Sequence, residues 1–407
     1  MPTKVPGAGG RTARRSRRAR SAVSLDAMEY DVIVVGVGGM GSAVAAHCAA
    51  RGLRVLALER YGIGHDRGSS HGRTRIIRLA YFEHPAYVPL LRRAFHLWRE
   101  LSRHADSPLL HITGSLDVGP EHGLVAAGSR RSCREHGLAH ELLDATELAA
   151  RFPAWRPADD AVGVLQPDGG FLEPERCIAA HVAMARSHGA RVVEQCVVQS
   201  WSAARGEVVV HSEQGRHTAA QLVLTAGAWM GDLVPPLRPL LAPERQVVGW
   251  FDVHRPALFA PDRFPVFVLE ADEGLYYGFP EFGVPGFKLG RYHHLAERTH
   301  PDHLDRTCHA ADERVLRSAV SRYFPDADGA LRAASSCLFT NTPDGHFIVD
   351  RAPEVPEVLL VSACSGHGFK FCSVLGEACA DLVTLGRSPH DLSLFRLDRL
   401  RDGATAP

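Results

Sequence analysis

The sequence predicts an α/β protein in which a βαβ-type domain is interrupted by a smaller, sheet-rich one. An apolar run, Tyr30 to Val35, leads into the glycine-rich GVGGMG of Gly36–Gly41 and then into a helical stretch and a second strand. Strand-type sequence dominates from Arg245 to Tyr292. Sequence of βα type then recurs near the C-terminus, so the second domain is interleaved with the first. A chain of 407 residues suits two or three domains at roughly 150 residues each.

The elements follow in order. YDVIVV (Tyr30–Val35) reads as a short buried strand, Ser42–Arg51 as a helix and Arg54–Leu58 as the next strand. Pro85–Leu101 places Val88, Leu91, Ala94, Phe95, Trp98 and Leu101 at helical spacing. Pro174–His188 is a helix led by the acids Glu173 and Glu175, which suit a helix N-terminus. Strands are expected at Arg191–Val198, Glu207–His211 and Gln221–Thr225. Asp312–Tyr323 is helical, Ser335–Thr340 and Val358–Ala363 are strands, and Gly366–Leu385 is the closing helix.

Composition narrows the function. Apolar residues make up 45% and charged residues 23%, the balance of a globular protein, and 46 basic residues meet 46 acidic ones. A balanced charge argues against nucleic-acid binding. The neutrality hides an Arg-rich segment, residues 1–27, with Lys4 and six arginines against Asp26. It has no apolar run and cannot be a secretory signal; a transit peptide, a nucleic-acid arm and a disordered extension ahead of Met28 are the readings left, and the last is preferred. Nine scattered cysteines without a CxxC pair suggest reduced thiols in a cytoplasm. The uncharged stretch Val32–Ala50 is long enough to tempt a membrane-span reading, but four glycines break it.

Those glycines carry chemistry. Gly36, Gly38 and Gly41 form GxGxxG between a strand and a helix: one for the tight turn, one for close approach to a pyrophosphate, one for helix–strand packing. The helix N-terminus favours phosphate. Glu59, at the end of the second strand, stands where a carboxylate takes a ribose hydroxyl. The motif predicts a dinucleotide without separating NAD from FAD. Lysine is the second clue: only Lys4, Lys288 and Lys370 exist, and the remaining 43 basic residues are arginine. An ammonium is a compact point charge whose pKa shifts readily, so the two lysines in the body of the chain are candidates for work a guanidinium cannot do.

GSSHGRTRIIRLAY (Gly68–Tyr81) with YVPLLRRAFHLW, GLYYGFP with FKLG, CLFTNTPDGHFIVD, and SGHGFKFCSVLGE stand in this order between Tyr30 and Arg399. This set resembles the monomeric sarcosine oxidase and N-methyltryptophan oxidase family over nearly the whole chain. The resemblance implies a Rossmann-type FAD-binding domain interleaved with a smaller substrate domain, as in D-amino-acid oxidases. Divided accordingly, 28–113, 168–243 and 331–400 form the FAD-binding domain, and 114–167 with 244–330 form the substrate domain. It implies covalent FAD, held as a thioether by Cys337, which needs a thiolate with cations nearby; without it, Cys337 reads as a buried free thiol. It places Arg75 against the flavin and Arg78 on the substrate carboxylate, with Lys370 as the second clamp. The offset of three along a strand would send the two arginines to opposite faces. It puts Lys288 where oxygen is reduced, His71 and Thr74 beside the flavin, and Tyr277 on the substrate pocket, although Tyr277 also suits a cross-strand aromatic pair. Further cofactor contacts fall on Arg60, Ser70, Val197, Gly366, Gly368 and Phe369.

Two departures bear on the substrate. Tyr292 stands where the family has histidine, with His293 one residue later, and Phe339 replaces a tyrosine. Cys364, Cys372 and Cys379 with His367 fit no common zinc spacing, so no metal is expected. The activity implied is oxidation of an N-methyl amino acid by O₂ to the amino acid, formaldehyde and H₂O₂, by a monomer without membrane or nucleic-acid partners. The alternatives are oxidation of a cyclic or primary amino acid such as pipecolate or a biosynthetic intermediate, a dehydrogenase with a protein acceptor, and a non-catalytic flavin-binding regulator using its basic arm.

Overall fold

Tyr30–Val35 alternates its side chains between two cores, as a strand of period two must. Val32 and Val34 pack under helices, whereas Ile33 and Val35 face a second apolar layer. The computed structural model describes residues 28–400, so the Arg-rich segment 1–27 lies outside the described residues. This strand pairs in parallel with Val55–Leu58 on one side and Gly215–Leu224 on the other. Arg191–Val193 extends the parallel array past Val55–Leu58, and Val355–Ser362 joins it beside Gly215–Leu224. The helix Gly39–Ala50 packs between Pro174–Ser187 and Cys372–Leu385. Gly376 permits that approach, because a Cβ there would lie 2.6 Å from the Ala43 methyl.

The second sheet is mixed and also eight-stranded. Its order is Leu331–Asn341, Ala242–Phe251, Phe287–Arg291, Gly274–Phe279, Val266–Ala271, Ser115–Pro120, Ala161–Gln166 and Glu141–Leu143. Behind it, Trp155, Phe264, Phe267, Phe287 and Phe324 form one aromatic core with the helix Ala310–Tyr323. A three-stranded sheet links the parts, with Arg75–Ile77 and Leu110–Ile112 both antiparallel to Gly170–Leu172.

The α/β class and the interleaving stand as expected; several boundaries move. The strand Leu331–Asn341 pairs along its length with Ala242–Phe251, so it belongs to the second sheet rather than with residues 342–400. The closing helix begins at Cys372, not Gly366; Phe369–Phe371 is a 3-10 turn and Gly366, at φ +76°, cannot be helical. The stretch expected as one strand at Arg191–Val198 splits where Gln195 takes a positive φ of 53°. Arg75–Ile77 ends before Arg78, so the opposite-face argument for the two arginines does not apply.

Candidate functional site

A large cleft, partly open to solvent, lies between the two sheets. From the first sheet it is lined by Gly36, Gly38, Glu59, Arg60 and Val197, with Gly366, Gly368, Phe369 and Lys370 from the turn that follows Val355–Ser362 of that sheet; Ser70, Arg75 and Tyr277 also line it. His71, Thr74, Arg78, Lys288 and Cys337 are buried behind that lining.

The glycine loop does what its spacing requires. Gly36 takes φ +87°, a Cβ on Gly38 would meet nothing within 4 Å, and a Cβ on Gly41 would lie 1.8 Å from the Gly36 carbonyl oxygen. The helix Gly39–Ala50 has no side-chain cap and no acid in its first turn, so its leading N–H groups are left to a ligand at the cleft. Glu59 is buried; its carboxylate accepts from the Val37 N–H at 2.7 Å and the Tyr61 N–H at 2.9 Å, with His65 Nε2 at 3.3 Å. Burial pushes its pKa up, but His65 and these donors hold it below the ordinary value, an anion with acceptor capacity to spare. This donor and acceptor set fits the pyrophosphate and ribose of a dinucleotide. Arg60 stacks on Tyr61 and Trp229 at the cleft edge and pairs with Asp302 at 3.1 Å.

Register assembles the opposite wall. Asp117 opposes Val268, Val268 opposes Tyr277, and Tyr277 opposes Gly290. Phe279 opposes Lys288, Lys288 opposes Trp250, Gln246 opposes Cys337, and Glu244 opposes Phe339. Directly opposed residues share a face, so Asp117, Tyr277, Phe279, Lys288, Cys337 and Phe339 all stand on one side of the sheet. Gly290 lets the Tyr277 ring lie over it; a Cβ there would fall 2.4 Å from that ring. Tyr292 packs against Tyr277 at 5.2 Å and Phe339 at 6.0 Å, so the positions that depart from the family form an aromatic end wall.

Each cation is held differently. Lys288 Nζ donates to the Gly72 carbonyl at 2.6 Å, the Thr74 carbonyl at 3.1 Å and Thr74 Oγ1 at 2.8 Å, and sits 4.3 Å from the centre of the Phe279 ring. Three acceptors match the three N–H groups of an ammonium, whereas burial and then Arg75 pull its pKa well below the usual lysine value. Those carbonyls are presented by a turn in which Gly72 and Arg73 both have positive φ, fastened by Glu175, which accepts from both N–H groups. Arg75 lines the cleft and donates to the Ser69 and Thr74 carbonyls. His71 is held neutral, down to about 4, by burial and then Arg75, and its Nε2 has no partner.

Arg78 is 1% exposed and already paired: Nη2 donates to Glu83 at 2.8 and 2.9 Å, and Nη1 lies 3.5 Å from Asp117. Burial opposes its charge, but Asp117 and Glu83 outweigh burial and raise its pKa. Lys370 Nζ donates to the His367 carbonyl at 2.8 Å and lies 5.3 Å from the Tyr81 ring centre, the same ring that Arg78 covers at 4.5 Å. Burial, then Arg78, lowers Lys370 to about 7. Its turn is fixed from behind, since Trp98 Nε1 donates to the Lys370 carbonyl at 2.8 Å and Trp98 stacks on Phe369. His367 Nε2 faces the Gly345 carbonyl at 3.1 Å and so carries the proton, leaving Nδ1 to accept from the Tyr81 hydroxyl at 2.7 Å.

Glu83 and Asp117 hold Arg78, so an anion reaching its guanidinium would compete with them. Cys337 is not a ready thiolate: burial raises its pKa, and Arg75, Lys288 and Arg306 only partly pull it back. Sequence reasoning missed Glu83, Asp117 and Tyr81. An acid within the strand SLDVGP was the available signal for Asp117; Glu83 gave none, since an acid in a loop is ordinary.

Comparisons with known proteins agree with this geometry. The family described as FAD dependent oxidoreductase (DAO) matches residues 31–382. A monomeric sarcosine oxidase of Streptomyces avermitilis is 42% identical, covering 93% of this chain and 99% of the relative. An N-methyl-L-tryptophan oxidase of Escherichia coli is 35% identical, covering 92% and 100%. Among solved structures, NikD, an amino acid oxidase essential for nikkomycin biosynthesis, superposes with a TM-score of 0.77 at 26% identity, covering 90% of this chain and 97% of that one. An L-proline dehydrogenase from P. horikoshii shares the fold, with a TM-score of 0.80 at 19% identity over 93% of this chain and 99% of that one. With a glycine cradle and an acceptor set that suit the cofactor, and relatives matched from end to end, the chain belongs to the DAO family of FAD dependent oxidoreductases.

Proposed function

We propose that the protein is an oxidase of secondary, N-methyl amino acids, converting amine, O₂ and water to amino acid, formaldehyde and H₂O₂. The observation that carries this is the pair of buried cations, Arg78 and Lys370, sharing the Tyr81 ring, with Lys370 on the lining of the cleft. Bound FAD supplies the two-electron oxidation and the return of those electrons to oxygen. Lys370 and Arg78 anchor the substrate carboxylate, which fixes the amine in one orientation. Tyr277, Tyr292 and Phe339 wall the amine side and exclude water. The cations disfavour a bound ammonium, drawing the amine from a pKa of about 10 toward its neutral, reactive form. Lys288, on the same sheet face, supplies the positive charge toward which oxygen reduction is directed. Cys337 lies on that face as the attachment point for the flavin.

The nine cysteines among the described residues are all unpaired, which suits a reducing cytoplasm, and none of the described helices is long and apolar enough to cross a membrane. We read the enzyme as a monomer acting on a small molecule, without a nucleic-acid partner. The aromatic wall of Tyr292 and Phe339 favours a second reading, oxidation of a bulkier cyclic or primary amino acid. A peroxide-coupled screen of sarcosine, N-methyl aromatic amino acids, proline and pipecolate decides between them. Highest kcat/KM on an N-methyl compound supports the first reading; highest kcat/KM on pipecolate or proline overturns it.

A further inference from the structure

Asp117 is the one ionisable residue of the strand Ser115–Pro120, 1% exposed, and it stands on the sheet face that carries Tyr277. Its Oδ2 accepts from Ser129 Oγ at 2.5 Å and lies 3.5 Å from Arg78, while its Oδ1 has no hydrogen-bond partner. A buried carboxylate oxygen without a donor is costly, and a structural ion pair would be built to satisfy both oxygens. The cluster also balances while Lys370 is charged. Below pH 7, where Lys370 keeps its proton, Arg78 and Lys370 offset Glu83 and Asp117, so an incoming carboxylate leaves one uncompensated negative charge in a buried site; above pH 7, where Lys370 is neutral, it leaves two.

We propose that Asp117 is a positioning residue that balances charge on substrate binding: as the substrate carboxylate reaches Arg78, Asp117 releases it and takes one proton from solvent. This rests on the reading of Arg78 as the carboxylate anchor. The step balances, one anion and one proton entering together. Ser129 suits both states, because its hydroxyl donates to the carboxylate and can accept from the carboxylic acid. The groups facing Asp117 are Arg78 and Glu83 from the segment after Arg75–Ile77, Cys133 from the helix Leu124–His136, Tyr292 after Phe287–Arg291, and Lys370 from the 3-10 turn. Burial raises Asp117 to about 6 even with Arg78 and Ser129 pulling it down, so the acid is already within reach of neutral pH. Lys370 also takes up protons when an anion arrives, so the two contributions must be separated.

The test uses the holoenzyme and methoxyacetate, an ether isostere of sarcosine with no amine to titrate and no C–N bond to oxidise. Calorimetric titration at pH 7.5 in two buffers of different ionisation enthalpy counts the protons taken up. Asp117→Asn is expected to lose the Asp117 share of the uptake and, at pH 8, to bind about tenfold tighter, since one fewer carboxylate competes for Arg78. Equal uptake and equal affinity in both proteins would overturn the proposal. In the wild type, infrared difference spectra should gain the carbonyl band of a protonated carboxylic acid on binding; absence of that band overturns it without recourse to a variant. Arg78→Met separates the two levels of the argument. If that variant binds methoxyacetate as the wild type does, the anchor reading fails and the charge-balance proposal with it; if it loses binding while Asp117→Asn keeps full proton uptake, only the proposal fails.

Discussion

Lys288 has the most specific residue-level consequence. Its ammonium makes three hydrogen bonds to the Gly72–Thr74 turn, so Lys288→Met removes a fixed charge while keeping the length of the side chain. Stopped-flow measurement should show flavin reoxidation by O₂ slowed by roughly 10²–10³-fold, the usual cost of losing one preorganised electrostatic contact, with flavin reduction by substrate nearly unchanged. Lys370 predicts a pH profile. Its pKa is drawn down to about 7, so it is charged below that pH and neutral above it. Carboxylate affinity should therefore fall more steeply as pH rises through 7, and Lys370→Met should remove that added steepness. Cys337→Ser should give protein whose yellow colour is released on acid precipitation; colour that still follows the polypeptide would assign the attachment elsewhere.

At the scale of elements, the turn between Tyr30–Val35 and Gly39–Ala50 is the least tolerant. Gly41→Ala puts a methyl 1.8 Å from the Gly36 carbonyl oxygen, a clash only backbone movement can relieve, at a cost of about 1–3 kcal/mol. The variant should purify with less flavin than the wild type, measured by absorbance per polypeptide. This turn was fully legible in the sequence, because its spacing encodes its geometry. Arg191–Val193 and the closing helix were legible only in outline, because Gln195 and Gly366 break the elements through φ angles that no periodicity records. The helix Leu124–His136 and the short strands around Gly170–Leu172 fell below the reach of pattern reading, their placement being decided by tertiary packing. The helix Ala145–Arg151 opens on a capping box of Asp144 and Glu147, but its seven residues are too few for periodicity to show it. Within the site, Lys288 and Lys370 stood out because lysine is scarce here. Glu83 and Asp117 did not, because the convergence of the Arg78–Glu83 segment with Asp117 on a distant strand is a property of the fold alone.

For the whole molecule, the two sheets flank the cleft that takes the cofactor, and one apolar core runs from the helices of the first sheet to Val164 of the second. Ligand binding should therefore stabilise the entire chain. Flavin-free Cys337→Ser protein given FAD at a hundredfold excess over its Kd should gain about 2.7 kcal/mol, read as a rise in Tm. Phe324→Ala, in the aromatic core of the second sheet, should cost about 3–5 kcal/mol while leaving the flavin spectrum of the folded enzyme intact. Oxidation at an N-methyl carbon fixes the stoichiometry of the products. Air-saturated enzyme turning over sarcosine or another N-methyl amino acid should release formaldehyde and peroxide in equimolar amounts. Peroxide formed without formaldehyde would rule out oxidation at the N-methyl carbon.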